Sequence, residues 1–84
     1  MNGDTFSINV PVGSMRVIVA YPSSLQDITS IKDVNALNTE VKSSLKSAFV
    51  EVEGANGYDA IEYKVYILDF AVPRASANVY NVII

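Results

Sequence analysis

The sequence predicts a mainly β fold: a small antiparallel β-sandwich or open barrel of about five strands, with at most one short helix at about 36–47. Three observations carry this. Five segments either alternate apolar and polar residues or form short β-branched runs. Clusters of Gly, Pro, Asn, Asp and Ser separate them. The chain has 84 residues, half of them hydrophobic and only 18% charged. That length makes one domain, 1–84, with residues 1–4 as a short N-terminal lead-in.

The first strand is read at 5–12, TFSINVPV, where Phe6, Ile8, Val10 and Val12 share one face. Pro11 has no N–H to donate, so it belongs at an edge or at the strand's end. Gly13 and Ser14 signal a turn, and MRVIVAY at 15–21 reads as a more deeply buried strand that Pro22 stops. The two runs are close enough to form a hairpin. Residues 22–35 are polar, rich in turn formers, and pinned by Leu25, Ile28 and Ile31. Their length suggests a crossover from one sheet to another.

Residues 36–48 read as a short helix, with irregular or extended structure as the alternative. Leu37, Val41, Leu45 and Ala48 recur at helical spacing, Asn35 is placed to cap, and Lys42 and Lys46 lie toward the C-terminal end. Thr39, Val41 and three serines oppose the helix.

The strongest strand pair is AFVEVE at 48–53 and YDAIEYKVYILDF at 58–70. Ile61, Tyr63, Val65 and Ile67 take one face of the second strand. Tyr58, Ala60, Glu62, Lys64, Tyr66, Leu68 and Phe70 take the other, which is mixed and so open to partial exposure. Gly54, Asn56 and Gly57 between the runs are hairpin-turn residues, because Asn-Gly supplies the positive φ that tight turns require. Residues 71–77 form a loop around Pro73, and NVYNVII at 78–84 is the closing strand.

Composition excludes several classes of function. There is no histidine and no cysteine. Disulfides are therefore impossible, and the usual ligands of zinc and copper are missing. A serine nucleophile lacks its customary base; Ser43 and Ser47 beside Lys46 read as surface residues. Glu51, Glu53, Glu62 and Asp69 read as a solvated face, with Lys64 available for a cross-strand pair. Asp27, Thr29, Asp33 and Asn35 have oxygen ligands but lack the glycine and glutamate of a twelve-residue calcium loop. The expectation is no enzyme activity, no cofactor and no metal. Six scattered Lys and Arg against nine Asp and Glu give a net charge of −3. That argues against nucleic-acid binding. No run is long enough to span a membrane as a helix. The start lacks a signal-peptide pattern, so production in the cytoplasm is expected.

Five tyrosines remain: Tyr21, Tyr58, Tyr63, Tyr66 and Tyr80. Tyrosine serves sheet packing first, then interfaces and sugar-binding faces. Tyr58 and Tyr66, with Asn56, are the candidate interaction residues.

The segments Ala20-Tyr21-Pro22, Lys32-Asp33-Val34-Asn35, Val52-Glu53-Gly54-Ala55-Asn56-Gly57-Tyr58, Tyr63-Lys64-Val65-Tyr66 and Ala77-Asn78-Val79-Tyr80 together cover most of the chain. In this combination the sequence resembles a small β-domain found at the C-terminal end of tailed-phage virion proteins, often tail-associated. In those proteins the domain usually trails a long chain, whereas here Met1 precedes it almost directly. The resemblance implies a structural module of the tail, baseplate or fibre region, located in the virion. Its partners would be other virion proteins and itself, as a homo-oligomer. An exposed edge, either 5–12 or 78–84, is expected to dock. The alternative is a binding module for a host-surface ligand such as carbohydrate.

Overall fold

The computed structural model of the chain describes residues 4–84. All of the expected lead-in except Asp4 lies outside the described residues. Seven strands form among them: β1 (Thr5–Val10), β2 (Arg16–Pro22), β3 (Ser30–Asp33), β4 (Thr39–Glu40), β5 (Lys46–Val52), β6 (Ile61–Asp69) and β7 (Asn78–Ile83). They make two antiparallel sheets, in the orders β1-β7-β3-β4 and β2-β6-β5. The mainly β class is as expected. Two strands exceed the expected five because the connections on either side of residue 36 each contribute a short one.

The core lies between the sheets. Val10, Ile31, Tyr80 and Val82 enter it from the four-stranded sheet, Val19 and Tyr66 from the three-stranded one, and Ile28 and Ile84 complete it. β7 alternates buried and half-buried along its whole length. This is the period of two expected for a strand with one face on a core.

The predicted hairpin between the first two strands does not form. β1 pairs with β7 and β2 pairs with β6, so the Pro11–Met15 corner carries the chain from one sheet to the other. The two ladders make one bent ribbon, with five residues at its corner on the first side (11–15) and eight on the other (70–77). Backbone bonds join the two corners: Gly13 N–H to the Arg74 carbonyl at 2.8 Å, and Arg74 N–H to the Ser14 carbonyl at 3.1 Å. The turn reading of Gly13 holds, since its φ is +89°. Two runs close in sequence became partners of distant strands because the turn is stitched across to residue 74.

The 22–35 connection is a crossover, as expected, and its second half forms β3. Ile28 and Ile31 are buried pins, whereas Leu25 is exposed.

The helix read at 36–48 is not formed. In its place are two single-turn 3-10 helices, Val34–Ala36 and Lys42–Ser44, with β4 between them and β5 beginning at Lys46. Leu37, assigned to the apolar stripe, sits at φ 56° and is 96% exposed. Only Val41 and Leu45 pack against the core. The first turn is capped by Asp33, whose side chain accepts from Asn35 N–H. Asn35 does not cap; its side-chain oxygen accepts from Val79 N–H at 2.8 Å and ties the turn to β7. Asn is a residue type that favours local side-chain–backbone bonds over helix interiors.

Candidate functional site

The three-stranded sheet β2-β6-β5 positions every feature of interest. Its strand register sorts the side chains into two faces. Val17, Val19 and Tyr21 on β2, and Tyr66, Leu68 and Phe70 on and just after β6, pack on the core. The opposite face carries the rows Ile18–Ile67–Lys46, Ala20–Val65–Ala48, Pro22–Tyr63–Val50 and Ile61–Val52.

This reverses the facing the sequence suggested. The mixed face of β6, with Tyr66, is the inner one. The uniformly apolar face, with Ile61, Tyr63, Val65 and Ile67, is the outer one. Ile18 and Val52 are each 53% exposed and Val50 is 45% exposed, whereas on the central strand Tyr63 and Ile67 are half-buried and Val65 is buried. Scattered exposed apolar residues are ordinary, but a contiguous apolar sheet face is not. The core takes the mixed face, where Tyr66, Leu68 and Phe70 pack against the other sheet.

Charges lie only at the ends of the outer face. At one end Arg16 and Asp69 are directly opposite, and Arg16 donates to the carboxylate from Nε at 2.6 Å and from Nη2 at 3.2 Å. That hydrogen bonding outweighs the opposing desolvation and, with the charges of Arg16 and Lys46, holds the Asp69 carboxyl below its ordinary range. Lys46 is at the same end. Beyond Val52 and Ile61, at the other end, the hairpin loop carries Glu53 and Asp59.

β5 is exposed at all seven positions and is an edge strand. It carries neither proline nor a bulge to guard its free backbone groups. Of the two edges expected to dock, only the first strand is an edge. The closing strand β7 lies between β1 and β3, with ladders on both sides, and is corrected to an interior strand.

The hairpin tip is where the sequence placed it. Asn56 and Gly57 have φ of 55° and 83°, and Tyr58 N–H donates to the Ala55 carbonyl at 3.1 Å. This is a type I′ turn. It sits beyond the ladder, which ends at Val52 opposite Ile61. Gly54 has a different reason: a Cβ there would fall 2.0 Å from the Tyr58 carbonyl oxygen. Of the candidate interaction residues, Tyr58 is 80% exposed and Asn56 is exposed. Tyr66 is corrected: it is only 4% exposed and belongs to the core.

At the open end between the sheets, Tyr66 anchors a polar groove of about 500 Å³ bordered by Asp27, Lys42, Ser47 and Lys64. The Tyr66 hydroxyl donates to the Asp27 carboxylate, 2.9 and 3.0 Å from its two oxygens. Lys64 Nζ stands 3.9 Å from the same carboxylate and 4.9 Å from the Phe49 ring centroid. The expected cross-strand pair of Lys64 with a glutamate is not formed; Lys64 faces Phe49 in the register, and Glu51 faces Glu62. Lys42 lies over the Tyr66 ring at 5.6 Å. Sequence reading missed Asp27 as Tyr66's partner, because 39 residues separate them and neither lies in a recognisable motif.

Burial, then the hydrogen bond and charge of Asp27, push the Tyr66 phenol up to about 12 from an ordinary value of 10.0. A raised pKa in the folded state means the stabilisation is complete below pH 10 and is lost as pH rises through 12. Stability is therefore expected to fall between pH 10 and pH 12, and less so in Tyr66→Phe. Urea midpoints across that range check this; equal slopes for the two proteins would contradict the assignment.

The oxygen ligands considered for calcium are dispersed. Asp27 belongs to the groove, while Asp33 accepts from Asn35 N–H and from Asn78 Nδ2 at the junction of β3 and β7. No three acidic side chains converge among the described residues. Ser43 and Ser47 line the groove, and Lys46 points to the other face of β5. No helix among the described residues is long and apolar enough to cross a membrane.

No protein-family profile, curated protein or solved structure matches the chain.

Proposed function

We propose that the chain is a non-enzymatic structural module that docks, through the outer face of β2-β6-β5, on a neighbouring subunit of an assembled particle. The observation that carries this reading is the inverted facing of that sheet, with its more apolar side turned to solvent. Leaving apolar surface in water forgoes about 25 cal/mol per Å² of burial. A docking partner recovers that energy. The motif resemblance supports taking the particle as a tailed-phage virion assembled from proteins made in the host cytoplasm, with other virion proteins as partners.

Ile67 is a half-buried residue of the central strand on the outer face, between Ile18 and Lys46. Ile67→Lys is expected to leave the fold intact by circular dichroism and to reduce incorporation into particles at least tenfold, measured by quantitative mass spectrometry of purified virions. Normal incorporation would sink the proposal.

A second reading, recognition of a host-surface ligand such as carbohydrate, is favoured by the exposed Tyr58 and Asn56 at the hairpin tip and by a small cleft bordered by Tyr21, Leu25, Asp27 and Phe49. The same particles separate the two: Tyr58→Ala virions that incorporate the protein normally but adsorb poorly to cells would support this second reading.

A further inference from the structure

We propose that the groove at the open end between the sheets is a binding site for an acidic saccharide, a sugar carrying a carboxylate. The inference rests on the carbohydrate reading above, to which it gives a site and a ligand class.

The acceptors that border the groove are already engaged. Asp27 accepts from Ile28 N–H at 2.7 Å and from the Tyr66 hydroxyl, with Lys64 Nζ 3.9 Å away. Glu40 accepts from the Ser30 hydroxyl and from the backbone N–H groups of Ile31 and Lys42. The donors are not engaged in the same way. Lys42 and Lys64 are both half-buried, and each ammonium stands 5.6 Å from the centroid of the same Tyr66 ring. Lys64 has Asp27 nearby, but Lys42 makes no ion pair among the described residues. Two like charges gathered at one ring repel. An anion in the groove offsets that repulsion, and a carboxylate can take a charge-assisted hydrogen bond from each lysine.

Hydroxyls extend the match beyond one charge. Thr29, Ser43 and Ser47 border the groove and are exposed, and no described residue bonds their hydroxyls. Each can both donate and accept, as the hydroxyls of a sugar do. That set favours a carboxylated sugar over a peptide carboxylate. The cleft beside the groove shares Asp27 and Lys64 with it, and Tyr21, Leu25 and Phe49 give it apolar walls for the C–H face of a second ring. At about 500 Å³ the groove itself lies within the usual range of small-ligand sites.

The polar groups are held in place before a ligand arrives. Lys42 and Ser43 lie on a single 3-10 turn. Glu40 fixes that turn through Lys42 N–H at 3.2 Å, and Leu45 N–H closes it on the Lys42 carbonyl at 3.1 Å. Ser47 lies opposite Tyr66 in the β5–β6 register. A fixed backbone lowers the ordering cost of binding. Ser47, Lys64 and Tyr66 share the inner side of β2-β6-β5, away from the proposed docking face, so ligand and docking partner do not compete.

Amide NMR titration of the isotope-labelled chain tests the site, with trigalacturonate and sialyllactose as two carboxylated probes of different ring type. At least one is expected to bind with a dissociation constant of about 1 mM and to shift the amides of residues 42–47 and 64–66. The neutral counterpart, galactotriose or lactose, is expected to bind roughly tenfold more weakly. Lys42→Gln, which removes the charge and keeps much of the stem, is expected to weaken the acidic probe about tenfold, with the rest of the spectrum unchanged. No shift with either acidic probe at about 20 mM overturns the inference. So does equal binding of the neutral sugar, or an acidic probe indifferent to Lys42→Gln. Tighter binding of triglutamate would make the groove a peptide site, and equal shifts with acetate would reduce it to a simple anion site; either result also overturns the inference. If the acidic sugar binds as expected while Lys42→Gln and Tyr58→Ala virions adsorb to cells normally, the groove chemistry stands and the host-recognition reading fails. If no acidic sugar binds while Tyr58→Ala virions adsorb poorly, host recognition stands on the hairpin tip and the groove inference fails.

Discussion

Glu40→Ala is expected to lower folding stability by about 2–3 kcal/mol, although Glu40 looks like a surface acid in a two-residue strand. Its carboxylate is bound on three sides. It accepts from the Ser30 hydroxyl, from Ile31 N–H at 2.9 Å and from Lys42 N–H at 3.2 Å. Ser30 and Ile31 are buried. The carboxylate thereby extends the short β3–β4 ladder by one step, giving Ile31 N–H the acceptor that a longer β4 would have supplied. Alanine leaves those donors without it. An unsatisfied buried donor costs about 1–3 kcal/mol, reduced here because solvent reaches part of the site. Glu40→Gln keeps one carbonyl acceptor and is expected to cost less.

The acid limb gives an independent check. Partial desolvation acts to raise the Glu40 pKa, but the bonds from Ser30, Ile31 and Lys42, with the charge of Lys32, outweigh it and hold the group below its ordinary 4.5. A depressed folded pKa means the stabilisation is present above the unfolded value and is lost as pH falls through the folded one. The wild type should therefore weaken below pH 4.5, and Glu40→Ala should lack that component. Urea titrations at pH 7 and pH 3 measure both. A cost under about 1 kcal/mol at pH 7 would show that water replaces the carboxylate.

The elements legible in the sequence were those fixed by local chemistry. Asn56-Gly57 could only turn, and the runs on either side could only be its strands. Ile28 and Ile31 stood out as apolar anchors in a polar connection. What could not be read was set by distant partners. Nothing local tells TFSINV to pair with the last strand instead of its neighbour; the decision rests on Gly13 and Ser14 bonding to Arg74. The helix reading failed for the same kind of reason. The spacing of Leu37, Val41 and Leu45 fits a helix, yet Asn35 is held by Val79 and Glu40 by Ile31, so the segment is drawn out along β3.

The site followed this division. The parity of β6 was correct from sequence, since alternation is local, so Tyr63, Val65 and Ile67 were grouped correctly. Which side met the core was not in the pattern. Both faces of YDAIEYKVYILDF are apolar enough to be buried, and the choice depends on what the other sheet presents. Tyr66 was assigned to an exposed face because its neighbours Glu62 and Lys64 are charged. In the fold Glu62 is exposed and Lys64 borders the groove, while the Tyr66 ring packs in the core and its hydroxyl meets Asp27.

Ile31→Ala is expected to have the largest effect on stability, about 3–4 kcal/mol. Ile31 is 1% exposed, lies opposite Val82 in the β3–β7 ladder, and is among the largest side chains that are fully buried. Truncation removes three methyl or methylene carbons and leaves a cavity between paired sheets. The backbone there has little room to collapse, because Ile31 N–H is held by Glu40 and its carbonyl accepts from Val41 N–H at 2.8 Å. For 84 residues the whole folding free energy is about 4–12 kcal/mol, so this one change removes a large fraction of it. The melting temperature should fall by about 15–25 °C. Val50→Ala provides the contrast. It deletes an apolar side chain that is 45% exposed on the outer face of the other sheet and should cost about 1 kcal/mol or less in dilute solution. Thermal melts of the two variants at low concentration make the comparison. Similar costs would mean that the outer face is already buried in the free chain, and the docking surface would have to be abandoned.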